Sequence, residues 1–144
     1  MAGFTNKGKA KLLRNFFHSE TPPSNLYVYL VTSATAPTAD LNTLSQLTEI
    51  SETGKEFSLS LNTTDFDTSV SDSEDDTNDK GVMKIKDCTF AGPVTNARYA
   101  VLVDDNGTEG SREVYCYWDL GSNRSVSSGQ TLTLQDLEMN LLEP

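Results

Sequence analysis

The single histidine of this chain, His18, stands beside Ser19 and Glu20 at the end of a basic opening segment. An imidazole there could serve as a general base. At the end of a helix it would equally interact with the helix dipole, a role that needs no substrate. One histidine and two distant cysteines, Cys88 and Cys116, do not supply a zinc ligand set. Both cysteines sit in apolar, strand-like surroundings and read as small buried hydrophobes rather than reactive thiols. A disulfide between them would require neighbouring strands, which sequence spacing does not show. The adjacent carboxylates Asp104 and Asp105 precede Asn106 and Gly107. A glycosidase needs two carboxyls facing each other across a cleft, whereas this arrangement reads as turn chemistry. The stretch Thr63–Gly81 holds seven acids and no base before Lys80. A calcium loop there would need glycine at its sixth position and glutamate at its twelfth. Counting from Asp75 puts Lys80 sixth, and counting from Asp76 puts Lys80 fifth, so the pattern fails. No nucleophile elbow, phosphate-binding glycine loop or dinucleotide fingerprint is found. No catalytic, cofactor or metal site is therefore expected.

The elements that would carry these groups centre on Ala97–Gly121, two strand-like runs around a polar turn. In the first run Ala97, Tyr99, Val101 and Val103 alternate with Arg98, Ala100 and Leu102. In the second, Val114, Cys116 and Trp118 alternate with Tyr115 and Tyr117. Period two places each set on one side of a sheet. Asp104–Gly110 supplies the turn, so the pair is expected to be an antiparallel hairpin at the centre of the core.

The chain has 144 residues and a formal net charge of −10, with 36% hydrophobic residues. That is the usual size of one domain. The only tryptophan and all five tyrosines fall in strand-like runs, as a β-rich protein requires. Such an acidic chain repels nucleic acid. No apolar run is long enough to span a membrane, and the N-terminus lacks the apolar stretch of a secretory signal. Synthesis and folding in a cytoplasm are expected. The charge is uneven: residues 1–18 hold Lys7, Lys9, Lys11 and Arg14 and no acid. The chain divides into a basic N-terminal arm or helix over 1–20 and a single β-rich domain over 21–144 with an acidic loop at 63–81.

In chain order, residues 4–17 predict a short helix capped by Thr5, with Gly8 weakening its front. Leu12, Leu13, Phe16 and Phe17 form one apolar stripe, which either packs on the domain's own sheet or docks on a partner. Pro22 and Pro23 end it. Residues 26–33 predict a strand with Leu26, Val28 and Leu30 on one face and Tyr27, Tyr29 and Val31 on the other. In residues 38–50, Leu41, Leu44 and Leu47 recur every three residues. This suits a helical turn, partly 3₁₀, or an irregular connection that covers the core with leucines. Residues 56–61 read as a strand, 63–81 as a long mobile loop, and 82–90 as one more alternating strand, broken at Gly92-Pro93. Turns are expected at Gly121–Asn123 and Val126–Gly129, with a closing segment over 130–142. Six to eight strands and two short helices, without βαβ rhythm, predict a mainly β fold. The candidates are an antiparallel β-sandwich or jelly-roll-like fold, or a partly closed barrel, with a short N-terminal helix.

The phrases ARYAVLVDD and YWDLGSNRSVSSGQTLTL resemble a family of small structural proteins of tailed bacteriophages. Their C-terminal half carries an R-Y-A-V-L run, a variable acidic turn, an aromatic-Asp-Leu-Gly step and a final strand after a glycine. Their N-terminal half has a short basic helical opening followed by a strand like LYVYLVTSATAPTADLNTLSQLTEI. Both blocks stand here in that order, and the resemblance is weakest across Ser51–Gly81. It implies a virion structural protein made in the host cytoplasm. Foremost is a head decoration, or cement, protein that binds the outside of the completed shell, with the major capsid protein as partner and a dimer or trimer as its own state. The resemblance also allows a tail, neck or fibre-associated role. A carbohydrate-binding module or small hydrolase using Tyr117 or Trp118 is the rival from another class. Under the decoration reading, Phe4, Lys7, Lys11, Arg14 and Phe16 are the expected capsid contacts, and the acidic stretch 65–79 points outward. Deleting residues 2–17 is then expected to leave the domain folded while abolishing capsid binding.

Overall fold

A computed structural model describes residues 2–67 and 74–142. It is mainly β, antiparallel and sandwich-like, with one short N-terminal α-helix. The strands are β1 (Ala2–Phe4), β2 (Asn25–Val31), β3 (Glu56–Ser60), β4 (Phe66–Asp67), β5 (Glu74–Asp75), β6 (Lys80–Ile85), β7 (Cys88–Ala91), β8 (Val94–Val103), β9 (Val114–Val126), β10 (Thr131–Leu134) and β11 (Glu138–Leu142). The helix α1 spans Asn6–Phe17. The main sheet has the order β1-β9-β8-β2-β3. A second sheet pairs β11, β6 and β4, with β5 also on β6, and β10 pairs with β7 as a two-stranded ribbon. These open strand orders favour the sandwich-like alternative over a barrel.

The central hairpin forms as β8 and β9. One face of the main sheet, with Leu26, Val28, Leu30, Leu102, Cys116 and Trp118, packs into a large core shared with Phe66, Ile85, Cys88, Phe90 and Leu134 of the opposing strands. Its other face, with Tyr29, Val31, Val101, Val103, Val114 and Tyr117, is covered by Leu41, Leu44 and Leu47. The two faces of β2 are those its alternation predicts. The leucine segment satisfies both readings offered for it: a 3₁₀ turn at Leu44–Gln46 inside an otherwise irregular connection.

Elsewhere the alternation breaks. Leu102 pairs with Cys116, but Val103 pairs with Val114, so Tyr115 is an extra residue in β9. This bulge turns Tyr115 to the large core alongside Cys116 and leaves Val114 with Tyr117 on the other face. A second irregularity sets two steps of β8, Ala97 to Tyr99, against five of β9, Asp119 to Arg124. Ala97 thereby joins Ala100 and Leu102 instead of Tyr99. It also absorbs the turn expected at Gly121–Asn123: Gly121 has a φ of +80°, yet β9 runs on to Val126. The strand expected over 82–90 is two strands in different sheets, β6 and β7, divided at Lys86–Asp87. The stretch 63–81 is not simply a loop. Phe66 pairs with Ile85 and enters the core, and Glu74–Asp75 pairs with Lys80–Gly81. The part of the expected mobile loop at 68–73 lies outside the described residues. Finally, the N-terminal segment contributes β1, which forms an edge of the main sheet opposite Cys116, Tyr117 and Trp118.

Candidate functional site

The groups singled out for chemistry are engaged structurally. Asp104 is buried, and its Oδ1 accepts the backbone N–H groups of Asn106 and Glu113 at 3.2 and 3.1 Å. The Asp105 carboxylate accepts those of Ser24 and Asn25 at 2.9 and 3.1 Å. These carboxylates tie the hairpin turn to itself and to the start of β2. His18 is exposed at the C-cap of α1, where its backbone N–H donates to the Arg14 carbonyl at 3.0 Å. Cys88 and Cys116 are free, buried and on different strands. Burial pushes the Cys88 thiol up to about 12 and that of Cys116 well above its ordinary value, the opposite of what a reactive thiolate requires. Asp75, the start of the tested calcium pattern, accepts from the Asn78 side chain at 2.9 Å and pairs with Lys80 at 3.6 Å. Among the described residues, no group of His, Cys, Asp and Glu side chains could hold a metal ion. Tyr117 and Trp118 are both buried, and the Trp118 indole donates to the Glu138 carbonyl at 2.7 Å.

A distinctive surface lies instead where α1 meets the open end of the sandwich. Thr5 sets the helix there. Its backbone N–H donates to the Tyr115 carbonyl at 2.9 Å, its hydroxyl donates to the Val114 carbonyl, and the same oxygen accepts the Gly8 N–H at 2.8 Å. The cap read from sequence is thus also the anchor that joins α1 to the β9 bulge. Gly8 is the point of close approach, since a Cβ there would sit 2.1 Å from the Tyr115 carbonyl oxygen. Its presence serves packing, and the lost helix propensity is the accompanying cost. Beyond Gly8, Lys7 and Lys11 reach Glu113 at 3.6 and 2.9 Å. Burial works to raise the Glu113 carboxyl, but Lys11 and Lys7 outweigh it and hold Glu113 below the ordinary glutamate value.

The helix is seated by its first turns, and exposure climbs along its apolar stripe: Leu12 38%, Leu13 58%, Phe17 77% and Phe16 80%. Phe16 and Phe17 stack edge to face with centroids 5.0 Å apart. Beneath the stripe is a groove of about 740 Å³. Its floor is Phe4, Leu26, Leu102 and Tyr115 of the main sheet and β1. Its far wall is Phe66, Val82, Met83 and Leu141 of the second sheet, and Leu12 and Phe16 overhang it. The lining includes no charged side chain. Leu61 and Leu141, about half exposed, line the groove as well.

The five residues expected at a partner surface have different fates. Phe4 is buried in the core and forms groove floor. Lys7 and Lys11 are held by Glu113, and Arg14 by Glu20 at 3.1 Å. Phe16 alone projects into solvent. The groove wall was not legible in sequence, because Phe66, Met83 and Leu141 come from three separate strands. The only local signal was the unpartnered stripe of the helix.

No protein-family model, no curated protein and no solved structure matches this chain. Among the described residues no helix is long and apolar enough to cross a membrane.

Proposed function

We propose that the protein is a structural component of a tailed-phage virion, a decoration protein that seats on the outside of the head shell. One observation carries the reading. Four of the seven exposed large apolar side chains of the described residues, Leu12, Phe16, Leu61 and Leu141, line one groove, and Leu13 and Phe17 extend the exposed apolar surface of α1 beside it. An exposed apolar patch of this extent marks a surface that another macromolecule covers. The resemblance of the two sequence blocks to phage structural proteins supplies the setting. The mechanism is mass action: a protein whose interface exists only on the assembled shell adds its binding free energy to that shell's stability. Phe16, overhanging the groove and projecting into solvent, is the central side chain of this surface.

Cryo-electron microscopy of intact particles tests the reading. Many copies in symmetric contact with the shell are expected, with the groove face turned inward to an interface. A few copies at the portal or tail would replace decoration with a tail or neck role, and absence from the particle would overturn the virion reading.

A further inference from the structure

The geometry points to Asn106 as a site at which the folded chain modifies itself. The backbone nitrogen of Gly107 attacks the Asn106 side-chain amide, and the asparagine becomes aspartate or isoaspartate. This is independent of the groove and of what covers it.

Only at Asn106 does a glycine follow an asparagine in this chain. Both residues are exposed in the loop between β8 and β9. Ring closure needs the nitrogen of the next residue to reach the side-chain carbon, and a side chain on that residue crowds the approach. Gly107 offers no such obstacle. No atom beyond its chain neighbours lies within 4 Å of where a Cβ would stand, and its φ is not left-handed. Among the described residues its N–H has no hydrogen-bond partner.

Two donors stand where negative charge develops. Removing the Gly107 proton leaves charge on its nitrogen, which amide resonance shares with the Asn106 carbonyl oxygen. Arg112 Nε donates to that oxygen at 3.0 Å. The rest of the guanidinium is held elsewhere. Its Nη1 reaches the Tyr29 hydroxyl at 2.6 Å and Glu56 at 3.3 Å, and Cζ lies 4.4 Å from the centre of the Tyr27 ring. Attack then moves the charge to Asn106 Oδ1, which accepts the Thr108 N–H at 3.0 Å. Fixed donors on the oxygens that gain charge lower the barrier. The preceding carboxylates are engaged with other groups, Asp104 with the N–H groups of Asn106 and Glu113 and Asp105 with those of Ser24 and Asn25.

The reaction balances with water alone. Hydroxide takes the Gly107 proton, the nitrogen bonds to Asn106 Cγ, and Nδ2 gains a proton from water and leaves as ammonia. The cyclic imide then adds water at either carbonyl, giving aspartate or isoaspartate. Nothing is oxidised or reduced. The product adds a negative charge to the loop beside Arg112.

Asn62 supplies a comparison within the molecule. It is exposed, and its Oδ1 likewise accepts the N–H two residues on, that of Thr64 at 2.9 Å. The residue that follows it, however, is the β-branched Thr63.

Incubating the purified full chain in mildly alkaline buffer tests this, with tandem mass spectrometry assigning each conversion to its residue. Asn106 is expected to convert at least about tenfold faster than Asn62. Isoaspartate should accompany aspartate, which direct hydrolysis of the side chain would not give. Gly107→Ala and Arg112→Gln are each expected to slow the conversion about tenfold or more, with circular dichroism confirming that both variants fold. Because folding assembles the donors, the folded chain should convert at least as fast as the chain unfolded in urea. Conversion at Asn106 no faster than at Asn62, aspartate without isoaspartate, or a folded rate below the unfolded one overturns the inference. An Arg112→Gln rate equal to or above the parent's overturns it as well.

Discussion

Tyr115 and Gly8 show how much of this molecule turns on single residues. Tyr115 is the extra residue of the β9 bulge. Its side chain forms groove floor, and its carbonyl receives the Thr5 N–H and lies against Gly8. By helix propensity alone, Gly8→Ala should stabilise α1 by about 1 kcal/mol. The new Cβ would instead lie 2.1 Å from the Tyr115 oxygen and 2.7 Å from its carbonyl carbon and Cα. These are backbone atoms in a sheet and cannot swing aside. Net destabilisation of about 1–3 kcal/mol is expected, read as a lower midpoint in denaturant unfolding. A gain in stability would mean that α1 is not seated on β9. The glycine was visible in sequence as a weak point of a helix, but its purpose required knowing what lies opposite.

At the scale of elements, α1 is fixed to the sheet by the Thr5 cap and by the Lys7 and Lys11 pairing with Glu113. The pairing makes the attachment depend on pH. Glu113 is held below its ordinary value of 4.5 in the folded chain. Its contribution is therefore fully present above pH 4.5 and is lost as pH falls through the lower folded value. At the other end, burial acts to lower Lys11, but Glu113 outweighs it and raises it above 10.5. The lysine contribution is full below pH 10.5 and is lost as pH rises through the folded value. Compared with the parent, Glu113→Gln should melt at a lower temperature across neutral pH, by an amount worth about 1 kcal/mol or less. The difference should close as pH falls below the folded-state titration of Glu113. Thermal melts of both proteins across pH check this, and a gap that persists in acid would point to packing instead of charge.

For the whole molecule, the N-terminal segment belongs to the fold. β1 completes the edge of the main sheet, and Phe4 is buried in the large core. Deleting residues 2–17 should therefore not leave the domain intact. Burial of Phe4 alone contributes about 1.5–3 kcal/mol, and loss of that order lowers the melting midpoint by several degrees in a domain of this size. Circular dichroism melts should show that drop for the deletion and none for Phe16→Asp. A deletion that melts with the parent chain would show that β1 and Phe4 add nothing to the stability of the fold.

The sequence by itself determined what depends on near neighbours. The faces of β2 follow from period-two alternation. The Thr5 cap, the hairpin turn at Asp104–Gly110 and the leucine cover at Leu41, Leu44 and Leu47 are set by residues a few positions apart, so their patterns survive in one dimension. Tertiary structure alone decided what depends on partners far along the chain. Tyr115 and Ala97 changed face because bulges arise from mismatch between paired strands. The break at Lys86–Asp87 reflects β6 and β7 finding different partners, β11 and β10. Phe66, inside an acidic stretch, entered the core by pairing with Ile85. The groove lay beyond local reading for the same reason: its walls come from distant segments, and a cavity is defined by the distance between elements, which alternation within a strand does not encode.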